Sequence, residues 1–125
     1  MAPSLRTALA LLTLFTTSCA TISEPADRKL VGRWHATNLN QTAEYIFAAD
    51  GTFSGWVKAG SATISKFTGK WSVARGAILY EYTSDEMGTI PPGTKDRDKL
   101  VKIAPDFMLI QAADGSERRY VRMPQ

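Results

Sequence analysis

From Arg33 to the end of the chain, apolar side chains recur at every second position, and no segment sustains the three-to-four spacing of an amphipathic helix. That period confines the chain to extended structure. Eight segments carry it: "RWHATN", "TAEYIFA", "TFSGWVKAG", "ATISKFTGKWSVA", "AILYEYTS", "DKLVKIA", "DFMLIQA" and "ERRYVRM". Asp50-Gly51 and Asp114-Gly115 sit between alternating runs and read as hairpin turns, because the glycine accepts the positive φ a tight reversal needs. Arg75-Gly76 makes another turn, and "DEMGTIPPGTK" is the longest irregular connection. Without helical crossovers the strands cannot be parallel. Eight antiparallel strands joined in sequence remove their free edges by closing on themselves. The expected fold is therefore all-β, a small eight-stranded antiparallel up-and-down barrel. Its strands should run about 5–8 residues, or roughly 17–27 Å.

Parity assigns the faces. Ala43, Tyr45 and Phe47 share one side, as do Phe53, Gly55 and Val57; then Phe67, Gly69, Trp71 and Val73; then Ile78, Tyr80 and Tyr82. Lys66, Lys70 and Ser72 fall on the opposite side. "KFTGKW" mixes cations with rings, as base-stacking strands do, but parity parts them and nucleic acid is not an expected partner. Chemistry is scarce. His35, the only histidine, neighbours Trp34 and turns outward if Trp34 turns in. No G-x-S-x-G elbow and no His/Cys cluster for zinc occur. Asp96-x-Asp98 lies among Lys95, Arg97 and Lys99 and reads as a solvated, charged strand start rather than a calcium site. Glu81, Asp85 and Glu86 read as a polar rim. No catalytic residue, metal or cofactor is expected, and the chain is read as a non-enzyme.

The N-terminus is of a different kind. Arg6 precedes the apolar run "ALALLTLF", too short for a hydrocarbon core about 30 Å thick and suited to a signal-peptide h-region. Thr16, Thr17 and Ser18 then lead into Cys19, the only cysteine. The arrangement resembles a bacterial lipoprotein signal, although Thr16 stands where that signal usually has leucine. The resemblance implies a signal peptide over 1–18, a lipidated tether over 19–24 and a folded domain over 25–125. A single cysteine has no partner in its own chain for a disulfide. Acyl chains on Cys19 would anchor the protein, since each buried methylene contributes about 0.8 kcal/mol. Ala20, where an aspartate would retain a lipoprotein at the inner membrane, implies the outer membrane, facing the periplasm. Removing 18 residues from 125 leaves 107, and loss of Arg6 takes the net charge from +3 to +2. That is one domain without a polybasic tract. Pro25, with acidic neighbours, starts a short helix of about two turns that Gly32 ends.

"LVGRWHATN" carries a G-x-W pattern in Gly32, Arg33 and Trp34, set after that helix and before seven further strands. With "YIFAADGTFSG" and "FTGKWSV" it resembles small bacterial lipocalin-like domains over roughly residues 28 to 123. The resemblance implies that Trp34 closes the barrel base beneath an arginine of the last strand. Arg119 and Arg122 both qualify, with Arg122 preferred, so the barrel-closure set is Gly32, Trp34 and Arg122. It further implies a small hydrophobic ligand or acyl chain held by Tyr45, Phe47, Phe53, Phe67, Trp71, Tyr80 and Tyr82. The alternative is a protein-binding or inhibitor-like envelope module whose barrel these rings fill. The two differ in whether an open cavity of about 300 Å³ remains.

Overall fold

The computed structural model describes residues 28–38 and 40–124, and within them the chain forms a closed eight-stranded barrel. The strands are β1 (Gly32–Thr37), β2 (Gln41–Phe47), β3 (Thr52–Ala59), β4 (Ala62–Ala74), β5 (Ala77–Asp85), β6 (Lys95–Ile103), β7 (Phe107–Gln111) and β8 (Glu117–Met123). Each pairs antiparallel with the next, and β1 pairs with β8 to close the ring. Cys19, the signal and tether segments and the start of the expected helix lie outside the described residues. Residues 28–30 are helical, and the Val31 N–H donates to the Arg28 carbonyl.

Strand length departs from expectation. β4 runs to 13 residues, and β5 and β6 to nine each. The reason is that "ATISKFTGKWSVA" contains no turn. Its one glycine, Gly69, works inside the strand beside a register shift at Thr68/Gly69. Gly69 pairs with Phe53 and Gly55 with Phe67 across β3 and β4. Each ring lies over the other strand's glycine. A Cβ on Gly69 would collide with the Glu81 carbonyl oxygen and approach the Phe53 ring to 2.7 Å. One on Gly55 would collide with the Glu44 carbonyl and come within 2.9 Å of Phe67. The glycines thus admit two phenylalanines that a filled pleat would exclude.

The turns follow from local chemistry. Asp50 Oδ1 accepts hydrogen bonds from the Thr52 N–H (2.9 Å) and hydroxyl (2.7 Å). Asp114 Oδ1 accepts the same pair from Ser116 at 3.0 and 2.7 Å. Only the glycines of these two turns have positive φ, so they are longer loops than the two-residue reversal an Asp-Gly pair alone would form. Arg75 and Gly76, with φ of 53° and 73°, do form such a reversal. The irregular connection is tied down by Asp85. Its carboxylate accepts from the Ser65 hydroxyl (2.7 Å) and from the N–H groups of Lys66, Met87 and Ile90.

One end of the barrel is sealed. Leu30 and Trp34 are fully buried, and Trp34 Nε1 donates to the Leu30 carbonyl at 2.8 Å. The Arg122 guanidinium lies 4.2 Å over the Trp34 ring. It also donates to the carbonyls of Pro105 (2.7 Å), Val31 (2.8 Å) and Lys29. Arg119 points away, over Phe107 on the outer face at 4.1 Å. His35 is also on the outside, edge-on to Trp56.

Candidate functional site

The barrel interior is occupied by its own rings. Phe47, Phe53, Phe67, Trp71, Tyr80 and Tyr82 are all buried. Phe47 and Trp71 centroids lie 5.0 Å apart, Phe53 and Tyr80 5.4 Å, and Phe67 and Tyr82 5.2 Å, mostly tilted or edge-to-face. Such pairs add about 0.5–1.5 kcal/mol beyond the area they bury. Tyr45 continues the stack towards the open end, 5.1 Å from Phe67 and 5.9 Å from Tyr80.

Space remains at that open end. A cavity of about 370 Å³ lies between the end of β1, the start of β2 and the start of β8. Its floor is formed by Tyr45 and Tyr120, its apolar wall by Ala36, Ala43 and Val57, and its polar rim by Thr37, Asn38, Gln41, Thr42, Ser116 and the exposed side chains of Glu117, Arg118 and Arg119. Of the seven rings assigned to ligand contact from the sequence, Tyr45 alone borders this cavity. Trp71 and Tyr80 border a shallower depression of about 220 Å³ between Lys70, Leu79 and Lys95, on β4, β5 and the start of β6. Phe47, Phe53, Phe67 and Tyr82 border neither.

Beneath the cavity lies a polar cluster that uses every tyrosine in the chain. Tyr80 donates to Asp98 Oδ2 at 2.9 Å, and the hydroxyls of Tyr45 and Tyr82 share a hydrogen bond of 3.2 Å. The Arg118 guanidinium lies close enough to the Tyr120 hydroxyl for each to act on the other's charge, and the Tyr120 ring meets Tyr45 edge-on at 5.8 Å. Asp98 corrects the sequence reading. It keeps only 7% of its surface exposed, whereas Asp96 is exposed. The cause is register: Asp98 pairs with buried Ile78 across β5 and β6, which fixes its side chain on the inner face. Burial raises the Asp98 carboxyl above its ordinary value, against the hydrogen bond from Tyr80. Burial also pushes Tyr45 and Tyr80 well above the ordinary phenol value, raises Tyr82, and takes Tyr120 up to about 12.

Tyr120 and Arg118 escaped the sequence reading, yet a signal existed. Arg122 faces inward, so Tyr120 and Arg118 share its face at two and four residues' distance. The same parity turns Glu117 and Arg119 outward. Among the described residues no three of His, Cys, Asp and Glu come together as metal ligands, and no helix is long and apolar enough to cross a membrane.

No protein-family model matches the chain, and no curated protein sequence matches it. Solved structures do. A protein from Bacteroides uniformis determined by NMR is similar with a TM-score of 0.60 and 17% identity, over 79% of this chain and 93% of the other. A crystal structure described as a lipocalin-like protein from the same organism is similar with a TM-score of 0.55 and 17% identity, over 76% of this chain and 99% of the other. At that identity the likeness speaks for the fold alone.

Proposed function

From the premise that this chain is a small lipocalin-like barrel, we propose that it is a non-catalytic binding protein of the bacterial envelope, taking one small molecule at its open end. The observation that carries the reading is the cavity of about 370 Å³ over the Tyr45 and Tyr120 floor, within the range of small-molecule sites. The packed rings below it leave the ligand at the mouth, not threaded through the barrel. A compact molecule with one flat or apolar part fits that shape better than a long acyl chain.

Lipid on Cys19 would hold the protein at the membrane, following the resemblance of residues 1–19 to a lipoprotein signal. The chain enters the barrel at the sealed end, where Leu30 packs with Trp34. A tether there would turn the cavity away from the bilayer and towards the periplasm. Substituting Cys19→Ala is expected to move the protein from the membrane fraction to the soluble one; persistent attachment would refute the anchor.

Native mass spectrometry of protein purified from its own envelope tests the binding reading. A bound molecule of a few hundred daltons is expected, and Ala43→Trp, which fills the cavity, should remove it. A bare mass from gently purified protein, or an adduct that survives Ala43→Trp, would overturn the site.

A further inference from the structure

The rim of the cavity holds more charge than a general apolar site requires. Arg118 is the one charged side chain that both borders the cavity and points to the inner face, since it pairs with fully buried Ile110 across β7 and β8. Its guanidinium reaches Tyr120. Arg119 is taken by the Phe107 ring outside the barrel. Glu117 and Arg119 also border the cavity, from outward-facing positions of β8, and offset one another in charge. The inward guanidinium, with the hydroxyl and amide donors of the rim, then favours an acceptor-rich, negatively charged group.

A counter-charge is already nearby. Asp98 lies on the inner face of β6, held by Tyr80, and the groups that surround it come from three other strands as well as its own. They are Tyr80 and Tyr82 on β5, Tyr45 on β2, Arg118 and Tyr120 on β8, and exposed Asp96 on β6. The tyrosines stay neutral throughout the physiological range, because burial raises all four. Arg118 therefore already has one buried carboxylate within its electrostatic reach. An incoming anion would place a second negative charge on the same exposed guanidinium, where it repels the carboxylate of buried Asp98. Protonating Asp98 removes that conflict without moving an atom: the neutral acid still accepts from Tyr80 through one oxygen and can donate through the other.

Resting on the small-ligand reading above, we propose that the mouth cavity selects an organic anion, that Arg118 and Tyr120 hold its charged group, and that Asp98 takes up a proton as the anion binds. The ligand class is an aromatic or compact apolar body with one carboxylate, sulfonate or phosphate. The proton couples affinity to acidity: binding weakens as pH rises, because the second negative charge must then be accommodated with Asp98 ionised.

Naphthalene-2-sulfonate and naphthalene-2-sulfonamide separate charge from shape, since the first is an anion and the second neutral from pH 4 to 8. Calorimetric titration of both should give at least tenfold tighter binding of the sulfonate at pH 4.5. That preference should shrink towards pH 7.5, with proton uptake visible as a dependence of the heat on buffer. Asp98→Asn should bind the sulfonate with a pH-independent affinity at least equal to that of the native protein at pH 4.5. Arg118→Gln should bring the two probes within about threefold of each other. Equal binding of both probes by the native protein would overturn the anion selectivity and leave the cavity as a binding site. A sulfonate preference that persists in Arg118→Gln, or a pH slope that persists in Asp98→Asn, would overturn the assigned roles. Failure of both probes to bind at all would bring down the cavity reading and this inference with it.

Discussion

Arg122 is where a single substitution should reveal what closes the barrel. Arg122→Met keeps an unbranched apolar stem over Trp34 and deletes the guanidinium. Three hydrogen bonds to carbonyls are lost: those to Pro105 and Lys29 near solvent, and the part-buried one to Val31. About 0.5–1 kcal/mol for each exposed bond and about 1.5–2 kcal/mol for the charged, part-buried one sum to roughly 2.5–4 kcal/mol. The ring contact at 4.2 Å adds about 1 kcal/mol. Better packing of the thioether over the indole returns about 1 kcal/mol, so the net loss should be about 3 kcal/mol. For a domain of this size that corresponds to a fall in Tm of roughly 12–24 °C. Urea unfolding followed by circular dichroism measures the loss, and amide exchange at Val31 should quicken, since both the Lys29 and Val31 carbonyls lose their donor. Arg119→Met provides the control. Its guanidinium sits on Phe107 at the surface, so its loss should cost less than about 1 kcal/mol. If Arg122→Met also costs less than 1 kcal/mol, the guanidinium does not close this end and the reasoning fails.

Gly69→Ala should cost about 2–4 kcal/mol, because the added methyl meets the Glu81 carbonyl and the Phe53 ring; a Tm within 2 °C of the native protein would contradict the reciprocal ring-over-glycine packing. Asp85 should set the acid limit of the irregular loop: burial alone would raise its carboxyl, but Ser65 and the N–H groups of Lys66, Met87 and Ile90 outweigh it and hold it at about 2. A lowered carboxyl contributes stability fully present above the unfolded value, about 3.9, and lost as pH falls through about 2. The Met87 and Ile90 amide shifts should then titrate together near that pH, and not at all in Asp85→Asn. At the alkaline end the sign reverses. Four phenols raised by burial contribute stability present below about pH 10 and lost above it, so phenolate absorbance should be nearly absent from the folded protein at pH 10.5 and appear with unfolding.

The barrel was legible because alternation is a long-range signal repeated eight times. Phe53, Phe67, Trp71, Tyr80 and Tyr82 could be assigned to one wall by counting in twos, and all five are buried. The length of β4 was less legible, because a glycine inside a strand looks like punctuation until its partner ring is known. Asp98 was hidden for a related reason. Lys95, Arg97 and Lys99 surround it in sequence, yet lie on the outer face, so local composition described the wrong side of β6. Tyr120 and Arg118 were hidden by emphasis, since "ERRYVRM" reads as a basic strand although three of its alternate residues face inward.

Those particulars explain why the cavity lies where it does. An eight-stranded barrel has an interior just wide enough to be filled by side chains or to hold one small ligand. Here both glycines that could have widened the middle are covered by phenylalanines, and the lower end is shut by Trp34 under Arg122. Room survives beyond Tyr45, where β1 and β2 contribute the small side chains Ala36 and Ala43. At that level the wall changes from rings to hydroxyls and Arg118. If the proposed ligand binds at the mouth, its choice follows from the charges that sit there, not from the volume of the aromatic stack beneath.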